Sequence, residues 1–121
     1  MAEYNFDMKP GGKIEYRKYK SVARNIVLDR ISYFNQYYHF SLHSIRIKNQ
    51  TSRWGSCSKK GNLNFNYRIA LIPQELSDYV IVHELCHLGQ FNHSKKFWEL
   101  VSRTIPNYKL IRNRFKKIRL R

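Results

Sequence analysis

Cysteine is scarce in this chain of 121 residues, and long apolar runs are absent. The two cysteines, Cys57 and Cys86, lie far apart in sequence, so a disulfide framework is not expected, although a single bridge between them stays open. No run of about 18 apolar residues occurs, which argues against a membrane-spanning helix, and no charged-then-apolar leader predicts secretion. These absences favour a protein of the reducing cytoplasm.

Acidic residues are also few. The chain has 8 Asp and Glu against 23 Lys and Arg, a net charge of +15, and residues 109–121 contain seven basic residues and no acid. Such a field attracts polyanions, so non-specific contact with nucleic acid through this last segment is one prediction. The alternative is a solvated helix face that keeps the protein soluble. No base-reading motif occurs, which argues against sequence-specific binding.

The most specific pattern in the chain is His83-Glu84-Leu85-Cys86-His87, which lies in an apolar helical pattern that starts at Pro73. Residues four apart lie on one face of a helix, so the imidazoles of His83 and His87 can reach one metal ion. Glu84 can reach a water at that ion without binding the ion. The pattern predicts a zinc peptidase with two histidine ligands and a glutamate general base. The alternative is a buried helix whose histidines are hydrogen-bonded core residues.

A third histidine, His93, follows Gly89-Gln90, where the helix is expected to end and Phe91-Asn92 can turn the chain back. A catalytic zinc ion takes three protein ligands and leaves a fourth position to water. We therefore predict that His93 is the third ligand; the alternative is a loop or helix-capping residue. Cys86 points to another face of the helix and is expected to be a small packed residue. A purely structural metal site would close its fourth position with a protein ligand and would have no use for Glu84.

The apolar patterns along the chain predict one domain of the α+β class. Residues 1–13 are expected to be a flexible leader and residues 14–121 a single catalytic domain. The predicted elements are a long amphipathic helix over 14–38, strands over 44–48, 52–58 and 62–66, the metal-bearing helix, and helices over 94–104 and 107–121. This order favours a small three-stranded sheet packed on the long N-terminal helix and the metal-bearing helix, followed by two C-terminal helices.

Trp54-Gly55-Ser56 falls on one of the predicted strands. Glycine in a strand permits close approach of a neighbour or a ligand, and an exposed strand edge can bind an extended peptide by adding it to the sheet. One interpretation is that this strand forms the rim of a substrate cleft. The other is that Trp54 belongs to the core and Gly55 makes a bulge.

Four blocks of the sequence resemble the YgjP-like metallopeptidase-domain family in order and spacing. These blocks lie at 53–58 (RWGSCS), 63–69 (LNFNYRI), 78–88 (DYVIVHELCHL) and 92–98 (NHSKKFW). The chain is more distantly similar to the SprT-like and WLM metalloproteases. Those relatives are associated with protein–DNA crosslinks, which adds a protease recruited to nucleic acid to the alternatives. Typical YgjP-like members carry an additional N-terminal region that this chain mostly lacks.

The resemblance implies a small gluzincin-like zinc peptidase in which His83, His87 and His93 bind zinc and Glu84 is the base. It extends to Tyr108, which is the candidate donor to the oxyanion, although a packed residue at a helix start is the alternative. Weaker candidates for the same role are Arg53, Arg68 and His39. Ligand histidines usually donate their second nitrogen to a carboxylate or a carbonyl, and the nearby carboxylates are Glu75, Asp78 and Glu99. Peptides or proteins are the expected substrates.

Overall fold

The computed structural model describes residues 12–117, which form four α-helices, a three-stranded sheet and a short 3-10 helix. In chain order these are α1 (Lys13–Tyr38), β1 (Ser44–Lys48), β2 (Gly55–Cys57), β3 (Asn62–Asn66), the 3-10 helix (Tyr67–Leu71), α2 (Gln74–Cys86), α3 (Lys95–Thr104) and α4 (Tyr108–Lys117). The predicted α+β class is confirmed. Most of the predicted leader, residues 1–11, lies outside the described residues, as do residues 118–121 of the predicted last helix.

The long first helix packs through one stripe. Its buried side chains recur every three or four positions and therefore lie on one face of the helix; they are Ala23, Val27, Ile31, Phe34 and Tyr38. Val22, another apolar residue of this helix, lies off the stripe and is 47% exposed. The helix ends where His39 takes a left-handed conformation with φ of 58°, and the side chain of Asn35 then binds both the amide and the carbonyl of Phe40.

The sheet has the order β1-β3-β2, with β1 parallel and β2 antiparallel to β3. The predicted strand over 52–58 is too long, because only Gly55–Cys57 joins the ladder. The preceding loop is held by side chains instead: the amide of Asn66 donates to the carbonyls of Gln50 and Arg53 at 3.0 and 2.9 Å. These bonds hold the loop directly before β2, and β2 lies at the edge of the sheet.

The metal-bearing helix, α2, lies at the centre of the fold and contacts α1, α3, α4, β2 and β3. Every residue from Leu76 to Cys86 is buried except Asp78, whose carboxylate accepts two hydrogen bonds from Arg30 of α1 at 2.9 and 3.1 Å. A helix that is apolar all round needs partners on all sides, which the sheet and the other three helices provide. The largest fully buried side chains of the described residues are Trp54, Tyr67, Phe65, Phe97, Phe115 and Tyr79, the last of which belongs to α2.

Several boundaries differ from the sequence-based expectations. The helix α2 ends at Cys86, before the expected stop at Gly89, and residues 87–89 form a turn. The 3-10 helix after β3 was not predicted. Both cysteines are free thiols, and Cys86 is fully buried, as expected for a packed residue. Within residues 12–117, no helix combines the length and apolar character that crossing a membrane requires.

Candidate metal centre

The last turn of α2 brings two imidazoles together. His83 and His87 are each 2% exposed, and their Nε2 atoms lie 3.2 Å apart. His87 follows the last residue of α2, yet its φ of −64° and ψ of −19° are still helical, so the spacing of four residues is preserved. The two rings therefore lie on one face of the helix, as the sequence pattern predicts.

His93 joins them from the loop between α2 and α3. Its Nε2 atom lies 3.0 Å from that of His83, and the ligand atoms of the three histidines all lie within 4.8 Å of one another. Ser94 caps α3 by accepting a hydrogen bond from the amide of Phe97, which anchors the chain directly after His93. Three nitrogens at about 2.0–2.1 Å from a tetrahedral zinc ion would be roughly 3.3 Å apart, so this set of donors fits such an ion.

The surroundings keep these rings neutral. Burial lowers the pKa of His87 to about 4 and is the main cause that lowers the pKa of His83 and of His93. The neighbouring imidazoles lower the pKa of His83 further, because a second positive charge so close is unfavourable. At neutral pH all three rings therefore hold lone pairs available to a cation, so a metal would not have to displace protons from them.

Backbone and aromatic contacts orient the rings. Nδ1 of His87 lies 3.0 Å from the carbonyl oxygen of Gln90, and the His87 ring stacks on Phe97 with centroids 4.4 Å apart. The ring of His93 stacks on Trp98 at 5.8 Å. The partner of His87 is thus a carbonyl group rather than one of the expected carboxylates. Those carboxylates lie elsewhere: Asp78 pairs with Arg30, Glu75 pairs with Arg114, and Glu99 is exposed.

Glu84 is 2% exposed and lies against the edge strand. A Cβ atom at position 55 would be 3.0 Å from Cγ and 3.2 Å from Oε2 of Glu84, so a larger residue there would crowd this side chain. Trp54 is fully buried and packs edge-on against Phe115. Trp54 is therefore a core residue, whereas Gly55 makes a close approach to a site residue.

Tyr108 begins α4 and stacks on Trp98, with ring centroids 4.9 Å apart. Trp98 also stacks on His93, so one aromatic side chain connects Tyr108 to the histidine cluster. The guanidinium of Arg68 instead donates to the carbonyl of Gln50 and to Asn66, which makes Arg68 a brace of the loop before β2. His39 ends α1 and Arg53 is exposed in that loop.

Arg112, one of the seven basic residues of segment 109–121, also belongs to this neighbourhood. Its guanidinium carbon lies 4.5 Å from the centroid of the Trp98 ring, and its positive charge contributes to lowering the pKa of His83 and His93. The sequence could have indicated this position of Arg112 through its spacing, because Arg112 follows Tyr108 by four residues and so lies on the same face of α4.

Cys57, at the end of β2, is half-buried near Glu84. Burial, with a smaller contribution from the Glu84 carboxylate, raises the pKa of its thiol to about 12. Burial likewise raises the pKa of Cys86 to about 12. Both thiols are therefore protonated at neutral pH, and neither offers a thiolate to a metal.

Comparison with known proteins agrees with this arrangement. The model of the family described as "YgjP-like, metallopeptidase domain" matches residues 7–118. The metallopeptidase zymogen abylysin of Pyrococcus abyssi is similar in structure, with a TM-score of 0.67 and 24% identity over 75% of this chain and 92% of that one. The zymogen jannalysin of Methanocaldococcus jannaschii gives a TM-score of 0.62 and 25% identity over 78% and 94%. The search of curated proteins finds no match. This chain belongs to the YgjP-like metallopeptidase domain family, whose members are peptide-bond hydrolases.

Proposed function

We propose that residues 14–121 form one catalytic domain that hydrolyses peptide bonds with zinc, held by His83, His87 and His93, and with Glu84 as general base. The observation that carries the proposal is the cluster of three imidazoles, whose first member, His83, is followed in the chain by the buried Glu84. A structural zinc site would require a fourth protein ligand, and the described residues offer only these three as a metal-binding group. The two free thiols are compatible with a cytoplasmic location.

When bound, zinc would polarise the substrate carbonyl and lower the pKa of the attacking water. Glu84 accepts a proton from that water and delivers it to the nitrogen of the departing amine. Burial of Glu84 excludes bulk water from this exchange and strengthens its electrostatic interactions. The contact with Gly55 limits the carboxylate to a narrow range of positions, which favours the geometry that proton transfer requires.

The substrate would lie along β2. This strand is at the edge of the sheet, its other side is paired with β3, and Gly55 places it directly beside Glu84. An extended peptide could form backbone hydrogen bonds with the unpaired edge of β2. Such a peptide would run past Glu84, the proposed general base. Tyr108 is the candidate donor to the oxyanion, and its stack on Trp98 restricts the position of its ring.

We expect His93→Ala to weaken zinc binding strongly, because the ion loses one of three protein ligands and no thiolate is available as a replacement. Zinc content after dialysis against a competing chelator measures the effect. His39→Ala is the matched control, since His39 is an exposed residue at the end of α1 and should leave zinc binding unchanged. Equal zinc affinity in the wild type and His93→Ala would show that His93 is not a ligand.

We expect Glu84→Gln to retain the fold and the zinc ion but to lose peptidase activity by at least about 10²–10⁴-fold, because the amide cannot accept the proton. Turnover of a quenched fluorescent peptide library by zinc-loaded protein is the measurement, with zinc content determined on the same sample. Undiminished cleavage by that sample would contradict the role of Glu84.

We expect Gly55→Ala to reduce peptidase activity by roughly 10-fold while zinc content stays the same, because the new methyl group would crowd the Glu84 side chain and shift its carboxylate by a few tenths of an ångström. Gly12→Ala is the matched control, since nothing lies within 4 Å of a Cβ atom at position 12. If Gly55→Ala were as active as the control, the close approach would have no catalytic consequence.

A second proposal concerns nucleic acid. The described part of the basic segment has no acidic residue, and three of its lysines, Lys109, Lys116 and Lys117, are exposed on α4. Two of its arginines are already engaged, because Arg114 pairs with Glu75 and Arg112 lies over Trp98. We propose that the three lysines contact phosphates without reading sequence, so that the domain associates with nucleic acid near its substrate; Arg119 and Arg121 lie outside the described residues.

We expect simultaneous replacement of Lys109, Lys116 and Lys117 by Glu to weaken binding to a random DNA duplex and to flatten its salt dependence, because fewer counterions are released. Fluorescence anisotropy over a salt series gives the slope of log K against log salt. The same replacement at the exposed residues Lys13, Lys18 and Lys20 of α1 changes the net charge equally and is the control. An equal loss in both variants would show that net charge, not α4, determines binding.

A further inference from the structure

A cavity of about 340 Å³ opens beside the histidine cluster, and His87 forms part of its wall. The turn between β2 and β3 forms another part, with Ser58, Lys59 and Lys60. Ser41 and Phe91 also line the cavity, and none of its lining residues is acidic. Two lysines and two serines are therefore among the residues that line a space adjoining a proposed metal ligand.

The turn that carries the lysines is closely hydrogen-bonded. The amide of Gly61 donates to the carbonyl of Ser58 at 3.0 Å, and the amide of Asn62 donates to the Ser58 hydroxyl at 3.1 Å. Gly61 has a φ of +88°, and a Cβ atom there would lie 3.1 Å from the amide nitrogen of His43. The backbone at Lys59 and Lys60 is thus fixed in position before any ligand binds, so little backbone entropy is lost on binding.

The facing residues after α2 bring an aromatic ring to the same space. The ring of Phe91 lies 5.9 Å from that of His87 and 5.8 Å from the ammonium of Lys59, which lies over the ring face. This cation–π contact is weak at an exposed site, but it favours a conformation in which the Lys59 charge stays near His87. The carbonyl groups at the end of α2 accept hydrogen bonds from the amides of residues 87–90. These bonds reduce the negative potential at this end of the helix, which would otherwise repel an anion in the cavity.

The cavity lies along the proposed path of the substrate. Gly55 marks the point where β2 passes Glu84, and Ser58 follows three residues later. A strand advances about 3.3 Å per residue, so Ser58 is roughly 10 Å further along the edge. A peptide paired with β2 would place a side chain or its terminus in the cavity within about three residues of the bond that is cleaved.

We propose that this cavity is a substrate subsite that binds a carboxylate group of the peptide through Lys59 and Lys60. This inference rests on the proposed peptidase function and adds a substrate class to it: peptides with a carboxylate at one position near the cleaved bond. The carboxylate has two possible sources, the side chain of Asp or Glu and the free C-terminus. The net charge of +15 also attracts acidic peptides in general, but such attraction acts at every position of the peptide, whereas a subsite acts at one.

The test uses the zinc-loaded full chain and quenched peptides that differ only by Glu, Gln or Lys at one position, scanned along the peptide with an amidated C-terminus. A second set compares free-acid with amidated peptides of decreasing length. We expect kcat/KM to rise by about 3- to 10-fold for a carboxylate at a single position, mainly through KM, since partly exposed ion pairs are of this strength. A rise in kcat/KM in the first set identifies the side chain of Glu as the carboxylate, whereas a rise for the free-acid peptides of the second set identifies the C-terminus.

The double variant Lys59→Gln/Lys60→Gln should remove this preference, so that it cleaves the Glu and Gln peptides with equal kcat/KM. Lys116→Gln/Lys117→Gln removes the same charge from an exposed part of α4 and is the matched control. Reversal with Lys59→Glu/Lys60→Glu should shift the preference to the Lys peptide. Equal effects in the Lys59/Lys60 and Lys116/Lys117 variants, or a preference at all positions, would overturn the subsite.

Binding to zinc-loaded Glu84→Gln protein separates this inference from the proposed function. Fluorescence anisotropy with the same peptides reports affinity without turnover. Tighter binding of the carboxylate peptide that depends on Lys59 and Lys60 supports the subsite even if no peptide is cleaved by the wild type. Normal cleavage of neutral peptides without any carboxylate preference leaves the peptidase function intact and overturns the subsite. Equal binding of both peptides likewise overturns it.

Discussion

The rest of this structure depends on the burial of α2 on every side. The helix carries two histidines and a glutamate that are each 2% exposed, and such groups are costly to bury unless they are neutral or have suitable partners. Burial lowers the pKa of His83 and His87, so both histidines are uncharged at neutral pH and the cost of burying a charge does not arise for them. The surrounding elements enclose this helix. One side is covered by α1 and another by the sheet, and Phe97 of α3 packs against His87.

Because α2 is enclosed on every side, a substrate needs a route to Glu84. The route that we propose is along the edge strand β2. The loop before the short strand β2 is held by hydrogen bonds from the Asn66 side chain, and β2 is unpaired on one side within the described residues. Gly55 lies against Glu84, where a Cβ atom would be only 3.0 Å from Cγ of that side chain. In the proposed function, this three-residue strand covers the general base and its unpaired edge binds the peptide.

The strong positive charge divides into groups with different environments. Arg30 ties α1 to α2 through Asp78, Arg68 braces the loop before β2, and Arg112 lies over Trp98 near the histidines. Lysines remain exposed on α4 and at the turn after β2, beside the cavity at His87. Arginine suits the first group because its planar guanidinium can make several directed bonds and stack on rings. The lysines suit contacts with anions from outside, so a single net charge is a poor description of this surface.

The sequence by itself determined the local features: the helices, the position of β1 and β3, and the histidine spacing, because these depend on periodicity between near neighbours in the chain. The sequence also predicted that His93 lies near His83 and His87, because a residue that follows a helix closely in the chain must stay close to the end of that helix. Only the tertiary structure decided which distant groups meet. The contact of Gly55 with Glu84, the place of Arg112 over Trp98 and the hydrogen bonds from Asn66 to the loop before β2 all join segments that come together only on folding. Periodicity carries no information about such pairs, because packing in three dimensions selects them.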